Sequence, residues 1–248
     1  METNLNILDH AFVFVMAVMY PVAGYIGFRR LLKRIAAGEP VKRLELYRNT
    51  LIGHWTLCVI FVAIWVIAGR EWSAVGFDFD PNLWTGVSSV LALLGVVILA
   101  NQIRQVRGAT QDEIDRISRR FGKLSIIIPH NGAELTRFYE LAVTAGIVEE
   151  ILWRGFIIWY LNQFMPLWAA ALISTIGFAL AHAYQGLANL PQITAVSATL
   201  VALYLLSGSI WLPIFLHAAV DILQGRLGYD VMYRSKLGGG VESRGQFT

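Results

Sequence analysis

Two adjacent glutamates stand inside an apolar stretch of this 248-residue chain, where ionisable side chains are costly. Glu149 and Glu150 are followed by Arg154, four residues after Glu150. On a helix this spacing puts Glu150 and Arg154 on one face, where they can form an ion pair. Glu149 is turned about 100° away and has no partner at that spacing. The pattern predicts a structural carboxylate, Glu150, beside an acid, Glu149, that is free for acid–base chemistry.

Further ionisable residues lie inside the apolar runs that follow. His182 comes four residues after Phe178 near the end of one run, and His217 precedes Asp221 by four residues in another. Because residues four apart share a helix face, Asp221 can hydrogen-bond the His217 ring or share its proton. We interpret Phe178 as a core or cavity-wall residue. A free carboxylate, two imidazoles and a second carboxylate can together activate a water molecule or hold a metal ion.

A purely structural interpretation fits some of these residues taken singly. A lone histidine in a membrane helix usually serves packing or hydrogen bonding, and we interpret His54 in this way. Four unpaired or half-paired ionisable groups on three helices are harder to explain as packing, since each is expensive in lipid. The sequence therefore predicts a catalytic set, Glu149, His182, His217 and Asp221, with Glu150, Arg154 and Phe178 in support.

Three alternatives use the same residues differently. Glu149, His182 and His217 form a two-histidine, one-carboxylate set of the kind that binds catalytic zinc. The His-Glu-x-x-His signature of many zinc proteases is absent, so we favour a site without metal or other cofactor and keep zinc as the alternative. A transporter would also use buried Glu and His, but no matched, interrupted halves are visible. The third alternative is a substrate-binding immunity or accessory protein whose site does not catalyse a reaction.

The elements that carry these residues are predicted from composition. Hydrophobic residues make up 56% of the chain and charged residues 15%, against roughly 25% charged in soluble domains. The apolar residues are grouped into runs near the roughly 20 residues that a helix needs to cross a membrane. These runs are 8–28, 51–69, 83–101, 138–164, 167–185, 191–207 and 209–225. They predict an all-α, polytopic transmembrane bundle of about seven spans, within a range of six to eight.

Basic residues predict the orientation of this bundle. They fill the connections 29–50 and 102–137 and recur in the tail 226–248, whereas the connection 70–82 carries only Arg70. The positive-inside bias therefore puts the two basic loops and the C-terminus in the cytoplasm and the N-terminus outside. Because the charge follows membrane side, we predict the lipid bilayer as a partner and no nucleic acid. The single cysteine, Cys58, excludes an intrachain disulfide.

The motifs resemble those of the CPBP intramembrane proteases, a family that includes the type II CAAX prenyl endopeptidases and the Abi proteins of bacteriocin processing and self-immunity. The resemblance covers residues 138–225 and rests on three patterns: Glu149-Glu150-x-x-x-Arg154-Gly155, Phe178-x-x-x-His182 and His217-x-x-x-Asp221. Eukaryotic prenyl proteases carry Asn at the position of Asp221, so the chain is more similar to bacterial members and is expected in a bacterial cell membrane.

The resemblance implies an endopeptidase that acts on a peptide or lipidated protein substrate. Glu149 would take a proton from a water held between it and His182, while His217, with Asp221, would stabilise the oxyanion. The expected organisation is an N-terminal set of transmembrane helices (1–137), a catalytic core (138–225) and a cytoplasmic tail (226–248).

Overall fold

The protein is a bundle of helices. The computed structural model describes residues 5–245, with side chains as far as Leu237, and this part of the chain forms eight helices and no strand. They are α1 (Ile7–Ala36), α2 (Arg43–Ile67), α3 (Leu83–Gly108), α4 (Gln111–Phe121), α5 (Gly132–Glu150), α6 (Leu167–Ala181), α7 (Leu190–Ser207) and α8 (Trp211–Gly245). The predicted all-α membrane bundle is confirmed.

Four stretches among the described residues are long and apolar enough to cross a membrane. They are α1, α2, α3 and the segment Leu187–Ser207, which includes α7, while α6 is apolar but shorter. The helices α5 and α8 carry the ionisable residues singled out above, which lowers their apolar character. The count of seven spans therefore stays a prediction, and the prediction for Met1 falls outside the described residues.

Helix α5 changes its winding directly after the two glutamates. Asn131 caps its first turn by accepting a hydrogen bond from the backbone N–H of Glu134. From Ile151 to Ile157 the helix continues as a π-helical turn, which leads into a last α-helical turn, Ile158–Leu161. π-Turns often occur at functional sites. The hydroxyl of Ser174 on α6 donates to the Trp153 carbonyl at 2.7 Å, so a polar backbone group of this turn has a partner.

Helices α5 and α8 approach each other through small residues. A Cβ atom added to Gly146 would lie 2.8 Å from the backbone nitrogen and 3.0 Å from the Cα of Ala218. Only glycine fits here without moving backbone, and such close contacts are typical of helix pairs in membranes. Gly146 is one turn before the glutamates, and Ala218 directly follows His217. The contact therefore brings the acids of α5 next to the histidine of α8.

A buried ion pair fixes the first two helices to the rest of the bundle. Arg70, just after α2, donates to both carboxylate oxygens of Asp9 on α1, at 2.7 and 2.6 Å. The guanidinium lies over the rings of Trp65 and Trp159, 5.2 and 4.6 Å from their centroids. Trp159 belongs to the continuation of α5, so this cluster holds α2 against the helix that carries the glutamates.

The predicted domain boundaries both fall inside helices. The division at 137/138 lies in the second turn of α5, and the division at 225/226 lies within α8, which continues without a break to Gly245. Beyond residue 225, Val231 is fully buried against Ile114 of α4. The segment 226–237 is thus a packed extension of the core helix, while the last three residues of the predicted tail lie outside the described residues.

Candidate active site

Glu150 is the buried anchor of the site. Its Oε1 accepts a hydrogen bond from Arg154 Nη1 at 2.9 Å, and both side chains are fully buried. The predicted ion pair is therefore present. Arg154 also donates to Ser197 Oγ on α7 at 3.0 Å, and its guanidinium lies 4.4 Å from the centroid of the Phe178 ring. The arginine thus joins α5, α6 and α7 beneath the site.

Glu150 also binds His217, which the sequence did not indicate. Its Oε1 accepts from His217 Nδ1 at 2.6 Å. His217 and Asp221 lie on one face, as predicted, but the possible hydrogen bond between them is not formed, because Asp221 Oδ2 lies 3.7 Å from His217 Nε2, the distance of an ion pair with a protonated ring. The physical reason is that the ring turns its Nδ1 to the buried carboxylate of the neighbouring helix. Asp221 instead flanks the other nitrogen, with 37% of its side chain exposed.

His182 stands at the C-terminal end of α6, where helix carbonyls lack intrahelical partners. Its Nδ1 lies 2.9 Å from the Phe178 carbonyl oxygen, and because a carbonyl only accepts, Nδ1 carries the proton. The Phe178 ring packs against the imidazole at 4.5 Å between centroids. Phe178 therefore fixes the ring by its backbone and its side chain, and Nε2 is left facing Glu149.

Glu149 lies where these groups converge. Its Oε2 is 3.7 Å from His182 Nε2 and 3.9 Å from His217 Nε2. This oxygen is buried and has no hydrogen-bond partner among the described residues. The structure therefore brings together all four residues predicted as catalytic, with Asp221 at the exposed side. A carboxylate oxygen facing two imidazole nitrogens is the arrangement needed to bind and deprotonate one water molecule.

The segment that carries these residues matches a known family. Residues 132–223 match the family model described as type II CAAX prenyl endopeptidase Rce1-like. Over these residues, which are less than half of the chain, the protein is similar to this family. No curated protein and no solved structure matches the chain. The match confirms the family predicted from the motifs, and it supports a protease embedded in the membrane.

One residue outside the Rce1-like segment completes the site. His54 Nε2 on α2 lies 2.8 Å from Glu149 Oε1, so of the two roles expected for His54, packing or hydrogen bonding, the structure shows hydrogen bonding, and Glu149 is not free at both oxygens. His54 is one of the few ionisable residues in the first three apolar runs, which is the sequence signal that could have found it. Its partner lies 95 residues away in the chain, so no local spacing connects the two.

The zinc alternative concerns three residues of this site. Within the part of the chain that the structure describes, no group of three His, Cys, Asp or Glu side chains is arranged to hold a metal ion. Glu149, His182 and His217 have suitable donor atoms, so the choice between a metal-free site and a zinc site stays a prediction.

The formal charges of the site constrain its protons. Glu149, Glu150 and Asp221 carry three negative charges when ionised, and Arg154 carries one positive charge. Two protonated histidines among His54, His182 and His217 would make the cluster neutral, which a buried site in lipid favours. His54 has an oxygen acceptor within hydrogen-bonding distance of both ring nitrogens, whereas His182 and His217 each have one at Nδ1 and carboxylate oxygens 3.7–3.9 Å from Nε2.

Proposed function

We propose that this protein is an intramembrane endopeptidase that hydrolyses a peptide bond of a membrane-associated, prenylated or peptide substrate with a water molecule activated by Glu149. One observation carries the proposal. The Nε2 atoms of His182 and His217 lie 3.7 and 3.9 Å from the buried Oε2 of Glu149, which has no hydrogen-bond partner within the part of the chain that the structure describes. The Rce1-like match over residues 132–223 supports the same chemistry independently.

The first step is activation of water. With Nδ1 protonated and bound to the Phe178 carbonyl, His182 presents a lone pair on Nε2. A water molecule between this nitrogen and Glu149 Oε2 donates one hydrogen to each. Glu149 takes its proton as the hydroxyl oxygen attacks the carbonyl carbon of the scissile bond. A positioned general base contributes about 10²- to 10⁴-fold to the rate.

The second step stabilises the oxyanion. His217 donates from Nδ1 to Glu150 at 2.6 Å, so the hydrogen that it offers the substrate is on Nε2 and requires the doubly protonated ring. Glu150 at Nδ1 and Asp221 beside Nε2 favour that positive charge. A donor aimed at the developing oxyanion in a water-excluded site contributes on the order of 3 kcal/mol.

The tetrahedral intermediate then collapses. Glu149 returns its proton to the nitrogen of the scissile bond, the carbon–nitrogen bond breaks, and a carboxylic acid and an amine leave. Glu150 and Arg154 touch no reacting atom in this scheme. They hold His217 in place, and Arg154 keeps the buried Glu150 charge compensated. No cofactor enters the reaction.

The protein is an integral membrane protein, and the proposal adds its surroundings. The basic connections 29–50 and 102–137 support a cytoplasmic location for both, with the N-terminus outside and the C-terminus inside. Asp221, in place of the Asn of eukaryotic relatives, supports a bacterial cell membrane. The bilayer and a peptide or lipidated protein are then the partners.

The test is cleavage by the purified full-length protein in detergent. A fluorogenic peptide is offered with and without a prenyl group, and wild type is compared with Glu149→Gln. Glu140→Gln is the matched control, because Glu140 lies on the same helix and is exposed. Cleavage lowered by 10²-fold or more in Glu149→Gln alone supports the proposal. Equal cleavage by wild type and Glu149→Gln would refute Glu149 as the base.

A further inference from the structure

His54 is held by acceptors at both ring nitrogens. Its Nδ1 lies 2.9 Å from the carbonyl oxygen of Thr50, one turn earlier on α2, and its Nε2 lies 2.8 Å from Glu149 Oε1. The hydroxyl of Tyr20 on α1 is also near, 3.4 Å from Nδ1. The ring is nearly buried, with 10% of the side chain exposed. Its orientation is therefore determined by the protein on both sides.

This geometry fixes where the protons are. A carbonyl oxygen only accepts, so Nδ1 carries a hydrogen and donates it to Thr50. The contact between Nε2 and Glu149 needs a second hydrogen, since two lone pairs repel at 2.8 Å. If that hydrogen is on Nε2, His54 is an imidazolium paired with a carboxylate. The pair therefore holds one proton more than a neutral histidine and an ionised glutamate.

We propose that His54 is a positively charged positioning residue for the hydrolysis described above, holding Glu149 ionised and leaving Oε2 as its only basic oxygen. The inference rests on the proposed function and adds a residue from α2, outside the Rce1-like segment, to its site. Binding Oε1 stops the carboxylate from rotating. It also ensures that the proton taken from water arrives at the oxygen that faces His182 and His217.

Other charged and titratable groups surround the pair on every helix packed against it, and they must be held constant in any test. They are Tyr20 on α1, Glu150 and Arg154 on α5 and its continuation, His182 and Tyr184 after α6, and His217 and Asp221 on α8. Because these residues are unchanged in a His54 variant, a difference in pH dependence reports the loss of the His54 charge.

Two substitutions separate charge from contact. His54→Gln keeps an N–H donor near the position of Nε2 but is neutral, whereas His54→Asn is too short to reach Glu149. In the pH profile of kcat/KM, we expect the acidic limb of His54→Gln to move about 1–3 units toward higher pH, the size of effect that one close charge produces. In His54→Asn the maximal kcat should also fall, by about 10²-fold, since Glu149 is no longer held in place. His10→Gln is the control, because His10 is exposed and bonds only Tyr160 among the described residues.

A second measurement needs no substrate. The infrared band of the protonated Glu149 carboxyl, identified by its loss in Glu149→Gln, is followed against pH in wild type and His54→Gln. We expect the band to persist to higher pH in the variant. If the band shifts in His54→Gln but no peptide is cleaved by wild type, the proposed charge of His54 is supported and the proposed protease activity is refuted. The opposite result would refute only the role of His54: cleavage depends on Glu149, but His54→Gln moves neither the acidic limb of the pH profile nor the infrared band. If both His54→Gln and His54→Asn lose thermal stability and cleavage rate while the pH profile keeps its acidic limb, His54 has a structural role and the proposal is refuted.

Discussion

The buried pair of Glu150 and Arg154 permits a quantitative prediction of stability. In Glu150→Ala the fully buried Arg154 retains only the Ser197 contacts and the face of Phe178, and His217 Nδ1 loses its acceptor. Removing one partner of a buried pair costs about 3–5 kcal/mol. For a chain of this size each kcal/mol corresponds to roughly 2–4 °C in Tm, so a value near 4 kcal/mol predicts a fall of about 8–16 °C.

The assay is thermal unfolding of purified variants in one detergent, with cleavage measured in parallel. Glu150→Ala should lose both stability and activity, whereas Glu149→Gln should keep its Tm within a few degrees and lose activity. A double variant, Glu150→Leu with Arg154→Met, removes both charges and should regain much of the lost Tm but no cleavage. The reasoning would be refuted by an unchanged Tm in Glu150→Ala, or by a double variant less stable than the single one.

Three further outcomes are expected. Activity should survive extensive chelation, and elemental analysis should find no stoichiometric zinc. The metal-free mechanism would be overturned if wild type held about one zinc per chain and both His182→Ala and His217→Ala lost it. An impermeant thiol reagent should not label Lys123→Cys in intact cells, since the second basic connection is predicted to be cytoplasmic, and efficient labelling would reverse that orientation. Burial, and then the charge of Arg43, lower the pKa of His130, which lies before α5. Because the unfolded chain then binds the proton more readily, Tm should fall as the pH drops below about 6.5, and less steeply in His130→Gln.

The parts of the site that the sequence predicted correctly are those encoded by helical spacing. Glu150 and Arg154 are one turn apart and meet as expected. His217 and Asp221 also share a face, yet they do not form the predicted hydrogen bond, because Glu150 competes for the ring from 67 residues earlier in the chain. That competition depends on the close contact of Gly146 with α8. Spacing within one helix carries no information about such a contact.

His54 shows the same limit more clearly. Its apolar run has no marked polar face, so the pattern does not tell which side of α2 meets α5. The choice is made by tertiary contacts, among them the buried pair of Asp9 and Arg70 that joins α1 to the end of α2. The overall class was easier to predict, since long apolar runs leave helices as the natural spanning structure. The number of spans was harder to predict, since α5 and α8 carry several ionisable residues and are also long enough to span a membrane.

The ion pair within one helix has a consequence for biosynthesis. Glu150 and Arg154 can neutralise each other within α5 without a contact from any later helix, so α5 can enter the bilayer without two uncompensated charges. Glu149 then meets His54 on a helix that was synthesised earlier. His217 and Asp221 follow only with α8, the last helix among the described residues. Under the proposed mechanism, the site is therefore incomplete until α8 packs against α5, because His217 and Asp221 both lie on α8.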